Sequence, residues 1–177
     1  MAIISGDIIP DNKDWTWVLE RPCPECGFRA FKATPATAAT MLPALLPRWQ
    51  SALRRADVEV RSDPGKWSVL EYGAHVRDVF EVFTARLELM LAQEEPTFPN
   101  WDQDQAALDG GYSALDPEEV AADLVQNGLD AAAAFGAVTT EQWERRGLRS
   151  NGTDFTVVTL TGYFLHDLVH HLHDIDA

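Results

Sequence analysis

Hydrophobic residues recur every three or four positions in four stretches of the chain, which is the spacing of one face of an α-helix. The clearest helix start is at Val69, because Ser68 and Glu71 on either side of it fit a capping box. Asp116, followed by a proline, gives a similar signal. The predicted helical spans are 34–55, 69–93, 116–136 and 156–175. Four long helices predict an all-α protein with the architecture of a four-helix bundle.

Three parts of the chain depart from this helical pattern. Pro43 and Pro47 oppose a long first helix, so we expect it to begin near Pro43 with about a dozen residues, or to be kinked. Residues 94–115 form a long polar linker, which is a candidate lid or a packed crossover. Residues 1–33 are predicted to be an irregular or short β extension that carries a CxxC turn. The domain prediction is therefore 1–33 for this extension and 34–177 for the bundle.

The charge of the chain argues against some classes of binding partner. Asp and Glu number 28 against 14 Lys and Arg, and the net charge of -14 repels phosphate backbones and anionic lipid. We therefore expect no nucleic acid and no membrane among the partners, but a small-molecule substrate, with a homodimer as an open alternative. No hydrophobic run is long enough to span a bilayer and the start lacks a signal peptide, which predicts a cytoplasmic location.

Four of the five histidines lie between His166 and His173. On a helix His166, His170 and His173 point within roughly 60° of one another, and the i, i+4 pair His166 and His170 can converge on one metal ion. His75, on the second predicted helix, is the only histidine outside this run. The predicted metal ligands are His75, His166 and His170, which would leave open coordination positions, the catalytic pattern. The alternatives are a buried polar network without metal and, for His75 alone, a satisfied core histidine.

Further residues are candidates for supporting these ligands or lining a pocket. Asp174 is the strongest, because it follows His170 by four residues on the same helix. Gly162 is either the floor of a pocket or a point of close helix packing, since glycine inside a helix costs about 1 kcal/mol relative to alanine. The remaining candidates are His173 and Asp78 beside the ligands, and Trp101 and Asp102 at the mouth of the pocket.

The two cysteines, Cys23 and Cys26, form a CxxC motif in a turn rich in proline and glycine. As a zinc ribbon it is half a site, and its completion would take two histidines that the predicted three-histidine site already uses. As a thioredoxin-type motif it lacks the helix that should follow, because Gly27 and the flanking prolines oppose one. The favoured interpretation is a tight turn with two reduced thiols or a local disulfide, and a redox pair stays the alternative.

The run from Trp67 to His75, WSVLEYGAH, followed about ninety residues later by His166-x-x-x-His170, resembles the DinB/YfiT-like superfamily of metal-dependent hydrolases and thiol transferases. The CPECG turn, the loop 99–104 and the ending HDLVHHLHD are similar to an actinobacterial branch with mycothiol-dependent maleylpyruvate isomerase-like relatives. The resemblance implies a four-helix bundle with a divalent metal, Zn²⁺ or Ni²⁺, on His75, His166 and His170. For some relatives it also implies a low-molecular-weight thiol cosubstrate such as mycothiol.

These features together predict a divalent-metal-dependent enzyme that activates a low-molecular-weight thiol or water for transfer to a small electrophile. Such an enzyme would be a thiol S-transferase or a hydrolase, because a bound metal deprotonates either nucleophile near neutral pH. The alternative is a non-catalytic bundle that binds a metal or a small molecule. The sequence identifies no single catalytic residue.

Overall fold

The computed structural model describes residues 8–10 and 13–177, and its long elements are all helices. The predicted four-helix bundle with a short irregular N-terminal extension is confirmed. The helices are α1 Pro35–Ala52, α2 Val69–Ala92, α3 Gln103–Asp109, α4 Pro117–Gly136 and α5 Val157–Asp174, and the strands are β1 Thr97–Phe98, β2 Arg146–Arg149 and β3 Asp154–Thr156. No helix in this part of the chain combines the length and the apolar character needed to cross a membrane.

Side-chain caps fix where the long helices begin. Ser68 Oγ accepts a hydrogen bond from the Glu71 amide at 3.2 Å, and Glu71 Oε2 accepts one from the Ser68 amide at 2.8 Å. Both orphan donors at this helix start are therefore satisfied, and the predicted start at Val69 is confirmed. Thr156 begins α5 with a capping box that includes Thr159, and Asp116 caps α4 by accepting from the Glu118 and Glu119 amides, both at the predicted positions.

Glu71 has a second role, because its carboxylate also pairs with the Arg61 guanidinium on the preceding loop. Burial alone would raise the pKa of Glu71, but the hydrogen bonds from Arg61 and Ser68 outweigh it and lower the pKa. The carboxylate is only 4% exposed, so this pair is shielded from solvent. It ties the loop that precedes α2 to the first turn of the helix.

The first helix is longer than predicted. It spans 18 residues and includes both Pro43 and Pro47, so the prediction of a start near Pro43 is wrong. Both prolines lie on the exposed face, where water can bond to the carbonyl groups that lose their helical partners. On the opposite face Leu42, Leu46 and Trp49 are buried in the core, and this burial holds the helix together.

The order of the helices around the bundle differs from their order along the chain. Helix α4 packs against both α1 and α2, and α5 packs against the same two helices. The core between them contains stacked aromatic rings, with Phe164 of α5 5.1 Å from Phe83 of α2 and 5.1 Å from Phe135 of α4. Helices α2 and α5, which carry all five histidines, are therefore neighbours.

The linker between α2 and α4 and the segment before α5 contain structure that the sequence pattern does not predict. Strand β1 pairs in parallel with β2, and β2 pairs antiparallel with β3 through the turn at Asn151 and Gly152. Gly152 has φ +94°, a conformation that favours glycine. These strands of two to four residues are too short to show an alternating pattern. They place the loop after β1 alongside α2, where Arg86 donates to the Pro99 carbonyl oxygen and Trp101 stacks on His75.

The N-terminal segment packs on α5 through two short 3₁₀-helices, Thr16–Leu19 and Ala30–Lys32. The described residues of this segment contain no strand, so of the two predicted alternatives, irregular or short β, the irregular one applies to them. A Cβ atom built on Gly162 of α5 would overlap the Ala30 carbonyl group, with the carbonyl carbon 3.0 Å away. Gly162 therefore allows close packing, and the partner is the backbone of the short 3₁₀-helix Ala30–Lys32, neither another helix of the bundle nor a ligand. The predicted domain boundary between residues 33 and 34 stays a prediction.

Candidate functional site

Helix α5 presents two i, i+4 pairs on adjacent parts of its surface, and each pair meets a different partner. His166 and His170 face the CxxC turn of the N-terminal segment, whereas Asp167 and His171 face His75 of α2. Because positions four residues apart lie one above the other on a helix, each pair can direct two ligand atoms to one point. Among the described residues these side chains form two groups suited to a metal ion.

The first group consists of Cys23, Cys26, His166 and His170, whose ligand atoms all lie within 4.8 Å of one another. Cys23 Sγ is 3.7 Å from His170 Nδ1. Cys23 and both histidines are buried, and Cys26 is half-buried. The structure thus supplies the two histidines that the CxxC motif lacks in sequence.

The second group consists of His75, Asp167 and His171, whose ligand atoms also lie within 4.8 Å of one another. His75 Nε2 is 3.4 Å from Asp167 Oδ2, and His171 Nε2 is 3.5 Å from Asp167 Oδ1. His75 is stacked on Trp101 with ring centroids 5.4 Å apart, so its imidazole is held in place. This group offers two imidazoles and one carboxylate.

Asp174 determines the orientation of His171. Its Oδ2 atom is 2.9 Å from His171 Nδ1, an arrangement in which the ring donates Nδ1–H and leaves the Nε2 atom to face Asp167. A carboxylate that accepts from the far nitrogen of a ligating histidine is common in metal sites. Asp174 Oδ1 also lies 3.8 Å from His170 Nε2, so this one carboxylate adjoins both groups.

Buried polar atoms that make no hydrogen bond mark the second group. Four of its atoms are inaccessible to solvent and make no hydrogen bond within the described part of the chain: both ring nitrogens of His75, Asp167 Oδ2 and His171 Nε2. Unsatisfied buried groups of this kind cost about 1–3 kcal/mol each, so they are rare without a function. Imidazole nitrogens and a carboxylate oxygen fit a divalent cation.

The protonation states of three of the histidines agree with ligand roles, whereas His171 would release a proton when a metal binds. Burial lowers the pKa of His75 and of His170, and burial together with His170 lowers the pKa of His166 to about 4. These rings are therefore neutral, which is the form that binds metals. Burial would also lower the pKa of His171, but Asp167 and Asp174 raise it to about 9. A proton on His171 thus balances the Asp167 carboxylate, and a bound cation would take over that role.

The Cys26 thiol of the CxxC turn is a poor nucleophile by itself. Burial raises the pKa of the Cys26 thiol to about 11, although backbone hydrogen bonds from Phe28 and Cys26 act in the opposite direction. A reactive redox cysteine requires a lowered pKa instead. This observation argues against the redox alternative.

A small pocket opens beside the second group. Its walls come from α2, α5, strand β2 and the loop between β1 and α3. The lining residues are His75, Val79, Phe83, Arg86, Asn100, Trp101, Gln103, Arg149, Tyr163 and Asp167. Two of the three residues of the second group thus face the pocket, which is what a site with open coordination positions requires.

Two buried arginines give this pocket a positive end. Arg86 and Arg149 are 7% and 8% exposed. Arg86 donates to the Pro99 carbonyl oxygen, and Arg149 donates to Asn151 Oδ1 and Thr153 Oγ1, all of which are neutral. Within the described residues neither guanidinium forms an ion pair with a carboxylate. Burial, with Arg149 nearby, lowers the pKa of Arg86 to about 10, which still leaves it charged at neutral pH.

The structure divides the predicted ligands His75, His166 and His170 between the two groups. The three-histidine set remains a prediction, but the geometry favours Asp167 and His171 as the partners of His75. Asp174 lies where a supporting carboxylate was expected, although its shortest contact is to His171 and not to His170.

The other predicted pocket residues have different positions. Trp101 lines the pocket, whereas Asp102 caps α3 by accepting from the Gln105 amide at 3.0 Å. Asp78 accepts hydrogen bonds from Tyr112 Oη and Arg77 Nε, and it joins α2 to the loop before α4. His173 is exposed at the far end of α5.

Sequence reasoning missed Asp167, His171, Arg86 and Arg149. A signal for the first two was present, because Asp167 and His171 are themselves an i, i+4 pair one position after His166 and His170. The two arginines gave no local signal, since strand β2 and helix α2 meet only in the folded chain.

Comparisons with known proteins agree with this fold. The family model described as the DinB superfamily matches residues 38–175, and the chain belongs to this superfamily. A solved structure of YfiT from Bacillus subtilis, described as a probable metal-dependent hydrolase with an unusual four-helix bundle topology, matches with a TM-score of 0.68 and 18% identity over 89% of each chain. The comparison with curated proteins found no significant match.

Proposed function

We propose that this protein is a divalent-metal-dependent enzyme whose metal is held by His75, Asp167 and His171. The observation that carries the proposal is the convergence of these three side chains at the edge of a pocket, with four buried polar atoms that make no hydrogen bond in the described structure. Two imidazoles and one carboxylate leave a coordination position for a further ligand, as in catalytic zinc sites. The description of YfiT as a probable metal-dependent hydrolase supports the same class of activity.

The bound metal would supply a Lewis acid that makes water or a thiol nucleophilic at neutral pH. Around it, Asp174 holds the His171 ring so that Nε2 faces the site, and Trp101 stacked on His75 limits the rotation of that ring. We propose Zn²⁺ or Ni²⁺, since both accept imidazole and carboxylate ligands.

The substrate we propose is a small electrophile that carries an anionic group. Arg86 and Arg149 line the same pocket as His75 and Asp167, and their protein partners are neutral. The Asp14 carboxylate is near enough to Arg149 for their charges to interact, but no described carboxylate forms an ion pair with either guanidinium. A carboxylate or phosphate on the substrate would supply the close counterion that a buried charge requires. The arginines would therefore bind the anionic group and orient the reactive bond toward the metal ligands.

Water and a low-molecular-weight thiol such as mycothiol are the two nucleophiles to be distinguished. Hydrolysis would require no cosubstrate, whereas thiol transfer or thiol-dependent isomerisation would stop when the thiol is omitted. A cytoplasmic location, as expected from the sequence, would give the enzyme access to such a thiol.

Metal analysis of purified variants tests the proposal first. His75→Ala and His171→Ala should each lose one metal ion per chain relative to the wild type, because two ligands do not retain a metal well. His173→Ala is the matched control, since this exposed histidine on the same helix should leave the metal content unchanged. Full metal retention in both variants would refute the ligand assignment.

An activity screen then tests the enzyme function. Electrophiles in matched pairs, with and without a carboxylate, should be assayed with water alone and with added thiol. We expect faster turnover of the compound that carries the carboxylate than of its uncharged counterpart, and no turnover in His171→Ala. A metal-loaded protein that binds these compounds without turnover would instead identify a non-catalytic binding protein.

A further inference from the structure

The CxxC turn and α5 meet at a second, closed group of ligand atoms. Cys23, Cys26, His166 and His170 come from positions about 140 residues apart in sequence, yet their ligand atoms lie within 4.8 Å of one another. This group is built from two soft thiol donors and two imidazoles. The group at His75, by contrast, contains no sulfur.

The distance between Cys23 and His170 matches tetrahedral zinc. A sulfur at about 2.3 Å and a nitrogen at about 2.0 Å from one tetrahedral zinc ion are about 3.5 Å apart. Cys23 Sγ and His170 Nδ1 are 3.7 Å apart. An S–H···N hydrogen bond would explain this one pair, but it would not explain why Cys26 and His166 converge on the same point. His166 Nε2 is moreover buried without a hydrogen-bond partner in the described structure.

We propose that Cys23, Cys26, His166 and His170 bind one structural Zn²⁺ that fastens the N-terminal segment to α5. Four protein ligands fill a tetrahedral shell and leave no position for substrate, which is the structural and not the catalytic pattern. Two thiolates also neutralise the charge of the ion. The site is therefore distinct from the open group at His75.

The surroundings of the group support this role. The Trp15 ring lies 4.9 Å from the His170 ring and 5.5 Å from the His166 ring, so it covers the histidines on one side. Asp174 and Glu25 each place a carboxylate oxygen 3.8 Å from His170 Nε2, the nitrogen that faces away from Cys23. Carboxylates near the far nitrogen of a ligating histidine favour the required tautomer.

The N-terminal segment also contacts α5 one helical turn before His166, and this contact brings the CxxC turn close to the two histidines. Gly162 lies four residues before His166, and its missing side chain admits the Ala30 backbone. The segment is thereby held close to the helix on the side of the ligands. Zinc would complete this attachment by joining the CxxC turn to the next two turns of α5.

Zinc analysis of the intact chain tests the proposal. The wild type should hold two zinc ions per chain. Cys26→Ser and His171→Ala should each hold one zinc ion, because each variant loses one site. His173→Ala, the control, should still hold two. In His171→Ala the remaining zinc should show two sulfur ligands at about 2.3 Å and two nitrogen ligands at about 2.0 Å in X-ray absorption spectra. If the proposed catalytic site binds no metal, the wild type should hold one zinc and Cys26→Ser none, and the structural site would still stand.

A second measurement avoids dependence on variants that fold poorly. A mercurial reagent bonds thiolate sulfur and displaces zinc, so titration of the wild type should release one zinc for every two thiols modified. The proposal would be overturned if Cys26→Ser kept as much zinc as the wild type. It would also be overturned if both thiols reacted, or proved to be joined as a disulfide, and no zinc was released.

Discussion

Replacement of Gly162 by alanine tests how closely the N-terminal segment is held against α5. The new methyl group would overlap the Ala30 carbonyl group, whose carbon would be 3.0 Å away, and a backbone group cannot rotate out of the way. Overpacking costs about 1–3 kcal/mol, and we expect the upper end here. Alanine gains about 1 kcal/mol in helix propensity. The net loss of about 2 kcal/mol corresponds to a Tm decrease of about 4–8 °C.

The assay is thermal unfolding at fixed metal content, followed by circular dichroism, with Gly136→Ala as the control. A Cβ on Gly136 would be 3.1 Å from the Ala39 Cβ, which requires a shift of only a few tenths of an ångström. We expect the control to change stability by less than about 1 kcal/mol. Hydrogen exchange at residues 28–33 measures the attachment of the segment directly, and Gly162→Ala should accelerate it.

A Gly162→Ala protein that melts at or above the wild-type temperature, with unchanged exchange at residues 28–33, would refute this reasoning. The higher helix propensity of alanine would then be the only effect on stability, and the N-terminal segment would not be in tight contact with α5. A loss of exchange protection without a change in Tm would show that the segment detaches while the bundle stays folded.

Three further predictions concern charge and metal retention. Glu71→Gln should cost about 2 kcal/mol at pH 7, because hydrogen bonds to a charged group are lost. Since the folded pKa of Glu71 lies below the ordinary 4.5, its contribution is complete above pH 4.5 and declines as the pH falls through the folded pKa, so the unfolding curves of wild type and variant should converge in acid. Asp174→Asn should weaken metal binding about 10- to 100-fold through His171, as measured by competition with a chelator, whereas the exposed Asp176→Asn should not. Arg149→Met should lower kcat/KM for an anionic substrate about 10- to 100-fold and affect its uncharged analogue little; an equal effect on both substrates would contradict the anion-binding role.

Local sequence signals located the long helices well because those signals act locally. Ser68 with Glu71 satisfies the first amides of α2 through contacts within four residues, so the helix start needs no tertiary partner. The prolines of α1 misled the prediction for the opposite reason. Their effect depends on which face of the helix they occupy, and only the packed bundle shows that Pro43 and Pro47 face solvent.

The candidate site was partly predictable. The i, i+4 spacing of His166 and His170 predicted a metal site, and their position on one face of α5 followed from helix geometry alone. Helix geometry did not predict which residues each pair contacts. A rotation of α5 by about 100°, the angle between consecutive residues, is enough to exchange the pair that faces α2. Packing of α5 in the bundle turns Asp167 and His171 toward His75.

The sequence by itself determined the four helices, the bundle class and the presence of metal-binding side chains, since periodicity and capping are properties of neighbouring residues. Only the tertiary structure decided how those side chains are grouped. Cys23 and Cys26 meet His166 and His170 because the Ala30 backbone fits against Gly162, and the Arg149 guanidinium reaches the pocket because strand β2 lies beside α2. Each of these contacts joins residues far apart in the chain, so their positions depend on packing and not on any local pattern.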